Sequence, residues 1–189
     1  MTASDPSRII SAQLDGIKLA TDRIPSEDTY RLVQMILAAD TVFVTGQGRS
    51  GLIANCLVTR LAQMGIDVHV PGYANCRKIR SGDLLIAVSC SGDTRTTVEL
   101  VKIAKSASAP VTVLTAIPDS NLAELADHTL IIPSNADDVR GMTSCVVGPM
   151  NNTLFEQAML MYADALIWLL LDTKGSASSV IGQQHTNLE

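Results

Sequence analysis

Residues 41–51 read Thr-Val-Phe-Val-Thr-Gly-Gln-Gly-Arg-Ser-Gly, an aliphatic run that ends in a glycine-rich turn. The run Val42–Val44 predicts a buried strand, because a strand covered on both faces carries consecutive apolar residues. A helix is predicted after the turn, at about residues 51–64, and Gly65 closes it. This strand, turn and helix form the first unit of an α/β fold.

Short aliphatic runs alternate with helical segments along the rest of the chain. Four further runs predict strands, at residues 68–70, 84–88, 111–114 and 130–132, and helices are predicted between them at about 94–107 and 121–126. Strands that alternate with helices in this way favour a parallel sheet covered on both faces. We therefore predict an α/β fold with a doubly wound, flavodoxin-like, parallel five-stranded sheet.

Three parts of the chain differ in composition. Residues 1–40 contain two helical patterns separated at Pro25 and predict an N-terminal helical arm. Residues 41–172 form the α/β domain, and the long polar connection at 133–152 is typical of a functional or mobile loop, such as a lid or an interface arm. Residues 173–189 are rich in Gly, Ser, Gln and Thr, which is typical of a flexible tail.

Composition limits the classes of partner. The chain has 189 residues, of which 47% are hydrophobic, 17% charged and 3% aromatic, so it can bury one aliphatic core. The low charge content favours burial of further apolar surface between subunits. The formal net charge of -5, without a basic stripe, argues against nucleic acid or an anionic membrane as a partner.

The most hydrophobic segment, residues 154–171, approaches the length of a membrane span. Glu156, Gln157 and Asp164 interrupt it, and charges inside a bilayer are costly. We therefore predict a helix buried in the core and in a subunit interface, with no membrane association. The N-terminus has no basic stretch followed by an apolar run, so a cytoplasmic location is expected.

The four cysteines of the chain, Cys56, Cys76, Cys90 and Cys145, are widely spaced and have no neighbouring His. This spacing fits neither a zinc site nor a disulfide framework. It predicts free thiols and no metal site.

The glycine-rich turn Gly46–Gly51 offers helix N-terminal N–H groups to an anion at the carboxyl end of a strand. Its spacing also fits the G-x-G-x-x-G signature of dinucleotide-binding proteins. That signature requires an acidic residue at the end of the second strand, where residues 70–73 read Val-Pro-Gly-Tyr, and Asp67 lies at the start of that strand. A dinucleotide-dependent oxidoreductase is therefore a minor alternative.

A second polar loop follows the predicted strand at 84–88 and reads Ser-Cys-Ser-Gly-Asp-Thr over residues 89–94. Its three hydroxyls, together with the N-terminal N–H groups of the next helix, can bind one phosphate without a Lys or Arg. A terminal phosphomonoester fits this set of donors. The alternative is that Ser and Thr only cap the helix, which accounts for one hydroxyl and leaves two.

These two loops resemble the phosphate-side motifs of proteins with a sugar isomerase (SIS) domain. The resemblance rests on Gly-Arg-Ser-Gly at 48–51 and on Ser-x-Ser-Gly-x-Thr at 89–94. Thr-Leu-Phe-Glu-Gln at 153–157 and His-Thr-Asn-Leu-Glu at 185–189 are similar to 6-phospho-3-hexuloisomerases in particular. The similarity extends from about Thr41 to Glu189. It implies an isomerase that interconverts 3-hexulose 6-phosphate and fructose 6-phosphate through an enediol.

The resemblance also implies residue roles. The phosphate would bind to Ser50, Ser89, Ser91 and Thr94, and the rest of the substrate to Gly48 and Arg49. Glu156 would be the base that moves a proton between adjacent carbons, and His185 would assist ring opening or proton transfer at the oxygens. SIS isomerases generally need no metal or other cofactor and often assemble as homotetramers. We therefore expect a sugar phosphate as the small-molecule partner and a homotetramer.

Two of these roles have simpler alternatives. Thr153 and Glu156 also form a capping-box pattern, in which the Glu side chain only bonds the start of its helix. A lone His in a polar tail, such as His185, is normally solvated. On the residues alone, both alternatives remain open.

The chain also departs from the family pattern. Cys90 and Asp93 stand where Gly and Glu are expected, Asn151-Asn152 where a single Gly is usual, and residues 72–77 lack an acidic, Thr-rich character. The phosphate hydroxyls are retained at all these departures, so the sugar rather than the phosphate is left open. Two alternatives are an isomerase of the same fold for another phosphosugar and a non-catalytic sugar-phosphate sensor.

Overall fold

Five strands and six helices make up the part of the chain that the structure, a computed structural model, describes: residues 5–134, 153–175 and 182. The strands are β1 (Val42–Gly46), β2 (Val68–His69), β3 (Leu84–Val88), β4 (Val111–Thr115) and β5 (His128–Ile131). The helices are α1 (Pro6–Thr21), α2 (Ser26–Ala38), α3 (Gly48–Gln63), α4 (Arg95–Ser106), α5 (Asn121–Leu125) and α6 (Thr153–Thr173).

The five strands form one parallel sheet in the order β2-β1-β3-β4-β5. The strand order reverses between β1 and β3, so the connections on either side of that point run to opposite faces of the sheet. β1 and β3 pair along their whole length, from Val42 with Leu84 to Gly46 with Val88. The predicted doubly wound, parallel five-stranded sheet is confirmed.

Helices cover both faces of this sheet. α1, α2, α3 and α6 pack on one face, in a core cluster that includes Val42, Val44 and Leu57. α4 and α5 pack on the other face, in a cluster that includes Phe43 and Leu85. Successive residues of β1 thus contribute to opposite clusters, as the two-residue repeat of a strand requires. Because both faces are covered, the strand opens with three consecutive apolar residues, Val42, Phe43 and Val44.

Two elements start at least two residues earlier than predicted. α3 begins at Gly48, earlier than the predicted start at residue 51. Gly46 therefore ends β1, whereas Gly48 and Gly51, which were expected to form a turn, belong to the first turn of α3 together with Arg49 and Ser50. β5 begins at His128, earlier than the predicted start at residue 130, and its burial alternates as expected for an edge strand.

Helix α6 contains the longest apolar segment of the chain. By length and composition alone it could cross a membrane, and 61% of its most apolar window is buried inside the protein. Phe155, Leu166 and Leu170 are among its buried side chains, and the helix packs on α1 and α3. This burial confirms the prediction of a core helix. The predicted subunit interface on the same helix stays a prediction.

A buried ion pair ties the connection between β2 and β3 to the sheet. Asp83, which precedes β3, is 2% exposed. Arg77 donates to its Oδ2 at 3.0 Å and to its Oδ1 at 2.5 Å, and also to the Thr41 hydroxyl. The Arg80 N–H donates to the same carboxylate at 2.7 Å. The Arg77 guanidinium carbon lies 5.3 Å from the centroid of the Phe43 ring, so the side chain also packs on the sheet.

Replacing Arg77 with Met should lower the free energy of unfolding by about 3 kcal/mol, because the Asp83 carboxylate stays buried without its partner. The double variant Arg77→Met, Asp83→Leu should be less destabilised, since no uncompensated charge remains. Urea unfolding followed by circular dichroism measures both. Lys102→Met, which removes an exposed ion pair with Glu99, is the control and should change stability by less than about 1 kcal/mol. Equal stability of Arg77→Met and the wild type would contradict this account.

Candidate functional site

The candidate site lies at the carboxyl ends of β1 and β3, where the strand order reverses. β1 leads into α3 and β3 leads into α4, and these helices pack on opposite faces of the sheet. The two connections therefore diverge and leave a crevice between them. Gly46 and Gly51 pack backbone against backbone, and a Cβ at Gly51 would lie 2.7 Å from the Gly46 carbonyl oxygen. Glycine at residue 51 thus allows α3 to start directly on the end of β1.

A cavity of about 260 Å³ occupies this crevice. Its lining residues come from the start of α3, the loop after β3 and the start of α6, and they are Gln47, Gly48, Arg49, Ser50, Val88, Ser89, Cys90, Ser91, Thr94 and Glu156. The structure therefore brings together every predicted site residue except His185. His185 lies outside the described residues, as do Asn151 and Asn152.

The hydrogen bonds within the loop after β3 leave hydroxyl groups that can still donate to a ligand. Ser89 Oγ and Thr94 Oγ1 lie 3.0 Å apart and share a hydrogen bond. Ser91 Oγ accepts the Asp93 N–H at 3.2 Å, which leaves its own O–H able to donate. Thr94 is the N-cap residue of α4, but its side chain makes no capping hydrogen bond. The capping alternative therefore does not describe Thr94, and the first turn of α4 keeps N–H groups that no helix carbonyl can accept.

Hydrogen bonds join the loop after β3 to three residues that the sequence analysis did not single out, Thr115, Ala116 and Asn121. The Cys90 carbonyl oxygen accepts the Ala116 N–H at 3.1 Å and the Thr115 hydroxyl at 3.2 Å. Asp93 Oδ1 accepts the backbone N–H of Asn121 at 3.1 Å and its side-chain amide at 2.8 Å. Asp93, one of the departures from the family pattern, thus joins the loop to the start of α5.

Gly92 lies at the closest approach between the loop and α5. Its φ of 67° is in the left-handed region that favours glycine, and a Cβ there would lie 2.0 Å from Ser120 Oγ. The Gly92 carbonyl oxygen accepts the Leu122 N–H at 3.0 Å, and Ser120 caps α5 by accepting the Ala123 N–H. The sequence signal for this contact was Ser120, which directly precedes a predicted helix and is a common N-cap residue.

Glu156 lies on the first turn of α6, and its side chain is 5% exposed. Arg49 Nε donates to Glu156 Oε2, and the Arg49 side chain is 65% exposed. An exposed cation therefore covers the outer side of a buried carboxylate. Among the described residues, the Glu156 side chain forms its hydrogen bond with Arg49. The structure shows no bond there from Glu156 back to Thr153, which the capping-box pattern also allowed.

Cys90 adds a neutral group to the cavity. Burial raises the pKa of its thiol, the negative charge of Glu156 raises it further, and a hydrogen bond with Ser134 acts in the opposite direction. The thiol is therefore uncharged at neutral pH. A neutral thiol does not repel an anion bound beside it.

The acidic residue that a dinucleotide site requires does not lie at this edge of the described sheet. Asp67 precedes β2, where it accepts the Thr41 hydroxyl at 2.6 Å and lies 3.5 Å from His69 Nε2. The carboxyl end of β2 leads instead into the neutral residues 70–73. This geometry weighs against the oxidoreductase alternative.

Comparison with known proteins gives a match to the SIS domain over residues 35–163. The 3-hexulose-6-phosphate isomerase of Bacillus subtilis is 34% identical over 166 residues, covering 88% of this chain and 89% of that protein. The 3-hexulose-6-phosphate isomerase of Mycobacterium gastri is 32% identical over 189 residues, covering 100% of this chain and 94% of that protein.

A solved structure shows the same architecture. It is a Methanococcus jannaschii protein for which a function of 3-hexulose-6-phosphate isomerase was inferred from the crystal structure. The TM-score is 0.79 at 27% identity, and the superposition covers 97% of this chain and 98% of that one.

The comparisons and the geometry concern the same part of the molecule. The SIS match, residues 35–163, contains every residue that lines the crevice. The alignment with the Mycobacterium gastri protein takes in the whole chain, His185 included. A family match over most of the chain, relatives more than 30% identical along it and the doubly wound sheet agree: the chain belongs to the SIS domain family.

Proposed function

We propose that this chain is a 3-hexulose-6-phosphate isomerase, which interconverts 3-hexulose 6-phosphate and fructose 6-phosphate through an enediol. The observation that carries the proposal is the buried Glu156 carboxylate, which lines the same cavity as the hydroxyls of Ser50, Ser89 and Ser91. An isomerase of this kind needs a phosphate anchor and a base in one site, because the anchor holds the reacting carbons against the base. The names of the relatives support the same reaction.

The phosphate binds between the starts of two helices in this proposal. Ser50 lies on the first turn of α3, and Thr94 directly precedes α4. The N-terminal ends of both helices favour an anion at this point. Ser89 and Ser91 add neutral hydroxyl donors. The phosphate is thereby held without using Arg49, which is left for the rest of the substrate.

Glu156 transfers the proton between adjacent carbons. From 3-hexulose 6-phosphate the carboxylate takes the proton on C2, the released electron pair forms the C2–C3 double bond, and the carbonyl oxygen on C3 gains a proton. The carboxylic acid then returns its proton to C3 while the C2 hydroxyl loses its proton and becomes the carbonyl of fructose 6-phosphate. Atoms and electrons balance within the substrate and the base, so the proposed reaction requires no cofactor.

Arg49 changes partners during this cycle. Without substrate its guanidinium donates to the Glu156 carboxylate, which is the base. When a substrate oxygen takes over that donor, the carboxylate is released and the developing negative charge on the enediol oxygen gains a cationic partner. His185 is proposed to move protons at the oxygens and to open the sugar ring.

We further propose that the protein acts in the cytoplasm as a homotetramer. Leu14 on α1 and Met161 and Trp168 on α6 are large apolar side chains that the single chain leaves exposed. Burial of such a surface between subunits is favourable. A neighbouring subunit would also provide a cleft in which the tail with His185 can dock.

A different phosphosugar is the second candidate substrate. The observation that favours it is a pair of departures from the expected family pattern: Cys90 lines the cavity where Gly is expected, and residues 72–77, which follow β2, lack acidic character. Both change the surroundings of the sugar and neither removes a phosphate hydroxyl. The reaction at Glu156 is the same, but the pair of carbons that exchange a proton differs.

The purified protein should exchange one carbon-bound hydrogen of fructose 6-phosphate with solvent deuterium, because the enediol passes its proton through a base that can meet water. Proton NMR identifies the carbon. Exchange at C3 supports the 2,3-enediol of the proposed reaction, whereas exchange at C1 supports an aldose-forming relative. Tight binding without exchange would contradict an isomerase and favour a sugar-phosphate sensor.

The double variant Ser89→Ala, Ser91→Ala should raise KM for fructose 6-phosphate by about tenfold or more, because each hydrogen bond to a charged group contributes about 1.5 kcal/mol. The fold should be retained, which circular dichroism checks. Ser106→Ala, at the far end of α4, is the control and should leave KM unchanged. An unchanged KM in the folded double variant would place the phosphate elsewhere.

Glu156→Gln should lower kcat by about 1000-fold while KM stays within a few fold, since the amide keeps the shape of the side chain but not its basicity. Asp164→Asn, an exposed acid on the same helix, is the matched control and should retain activity. Steady-state kinetics separates kcat from KM. Retained activity with a lower melting temperature in Glu156→Gln would assign Glu156 a structural role.

A further inference from the structure

A second cavity, of about 250 Å³, adjoins the first on the β2 side of β1. Its lining residues are Val44, Gly46, Gln47, Gly51, Ala54, Asn55, Val70, Pro71, Gly72 and Tyr73, and Gln47 lines both cavities. We call this cavity the β2-side lobe. The proposed reaction uses only the first cavity, so the β2-side lobe has no role in it so far.

The β2-side lobe differs from the first cavity in charge. The first cavity contains Arg49 and Glu156, whereas the polar side chains that line the lobe among the described residues, Gln47, Asn55 and Tyr73, are all neutral. Neutral amides and a phenol bind hydroxyl groups and offer no compensation for a phosphate or a carboxylate. The chemistry of the lobe therefore suits an uncharged polyhydroxyl group.

The polar groups at the rim retain hydrogen-bonding capacity. Asn55 Nδ2 donates to Tyr73 Oη over a long distance of 3.4 Å, and this bond holds the two side chains side by side. Asn55 keeps a second N–H and its carbonyl oxygen, and the Tyr73 hydroxyl keeps its own proton. Two adjacent hydroxyls of a ligand can therefore each find a partner.

Contacts with the sheet hold the rest of the lobe in place. Ala54 on α3 is 2% exposed, and the contact between Gly46 and Gly51 holds the start of α3 on β1. Residues 70–73 belong to the connection that Arg77 and Asp83 tie to the sheet. Fixed apolar walls beside a polar rim match the carbon backbone and the hydroxyls of an extended sugar.

We propose that the β2-side lobe binds the uncharged end of an open-chain ketose 6-phosphate, the end opposite the phosphate, and that Asn55 and Tyr73 contact its oxygens on C1 and C2. The inference rests on the proposed function, because it places the phosphate in the first cavity. The chain of the sugar then passes Gln47, with the reacting carbons beside Glu156. Tyr73 lies in the segment that departs from the family pattern, so this residue selects among phosphosugars.

Calorimetric titration with two phosphate esters of different length tests the proposal. Glucitol 6-phosphate is an open-chain, six-carbon polyol that cannot isomerise, and glycerol 3-phosphate is too short to pass Gln47 and reach the lobe. Asn55→Ala and Tyr73→Phe should each raise the Kd of glucitol 6-phosphate by about tenfold and leave that of glycerol 3-phosphate within about twofold. Tyr30→Phe is the matched control, because Tyr30 and Tyr73 are both 56% exposed and Tyr30 does not line either cavity.

Other outcomes would overturn the proposal. Equal weakening of both esters in Asn55→Ala and Tyr73→Phe would mean that these residues act through the phosphate loop or the fold. Unchanged binding of glucitol 6-phosphate in both variants would mean that the lobe does not hold the sugar. If both variants weaken glucitol 6-phosphate selectively but the wild type shows no hydrogen exchange on fructose 6-phosphate, the proposed reaction is contradicted and the lobe is still supported. A wild type that binds neither ester would overturn both.

Discussion

The reversal of strand order between β1 and β3 is the constraint on which the rest of the structure depends. The two strands pair in full register up to Gly46 and Val88, so α3 and α4 start beside each other from opposite faces of the sheet. Two adjacent helix N-termini concentrate unpaired N–H groups at one point. The serine-rich loop, the Arg49–Glu156 pair and the β2-side lobe are all arranged around this edge.

Charge is unevenly distributed over this edge: one region has only neutral donors, and the other holds an ion pair. The proposed phosphate region consists of hydroxyls and helix termini, which are uncharged as groups and fixed by the fold. The ionised side chains, Arg49 and Glu156, pair with each other across the cavity. A buried carboxylate needs such a partner when no substrate is present, because an isolated buried charge is costly. The partner is exposed, so releasing it to solvent or to a substrate oxygen requires little rearrangement.

The sheet could be predicted from sequence because its strands are covered on both faces. The run at 84–88 is continuously apolar, and β3 spans Leu84–Val88. Contacts between distant residues left no such pattern: Arg49 and Glu156 are 107 residues apart, and Asp93 and Asn121 are 28 apart. The start of α3 was also misplaced: the helix begins at Gly48, whose φ of 57° lies in the left-handed region that glycine adopts readily, and the sequence pattern predicted a turn there. The roles of Glu156 and His185 came from the family resemblance, since their local patterns equally suit a capping residue and a solvated tail.

Glu156 stands on the first turn of α6, whereas the hydroxyls proposed to bind the phosphate stand on the loop after β3 and at the start of α3. The two groups lie on separate elements, so local opening of the first turn of α6 can displace one and leave the other in place. In the proposed reaction, a molecule whose α6 has opened by one turn would lose the base and keep the phosphate anchor. Such a molecule would sequester sugar phosphate without converting it. Order at the start of α6 would therefore set the active fraction of a preparation separately from the fraction competent to bind.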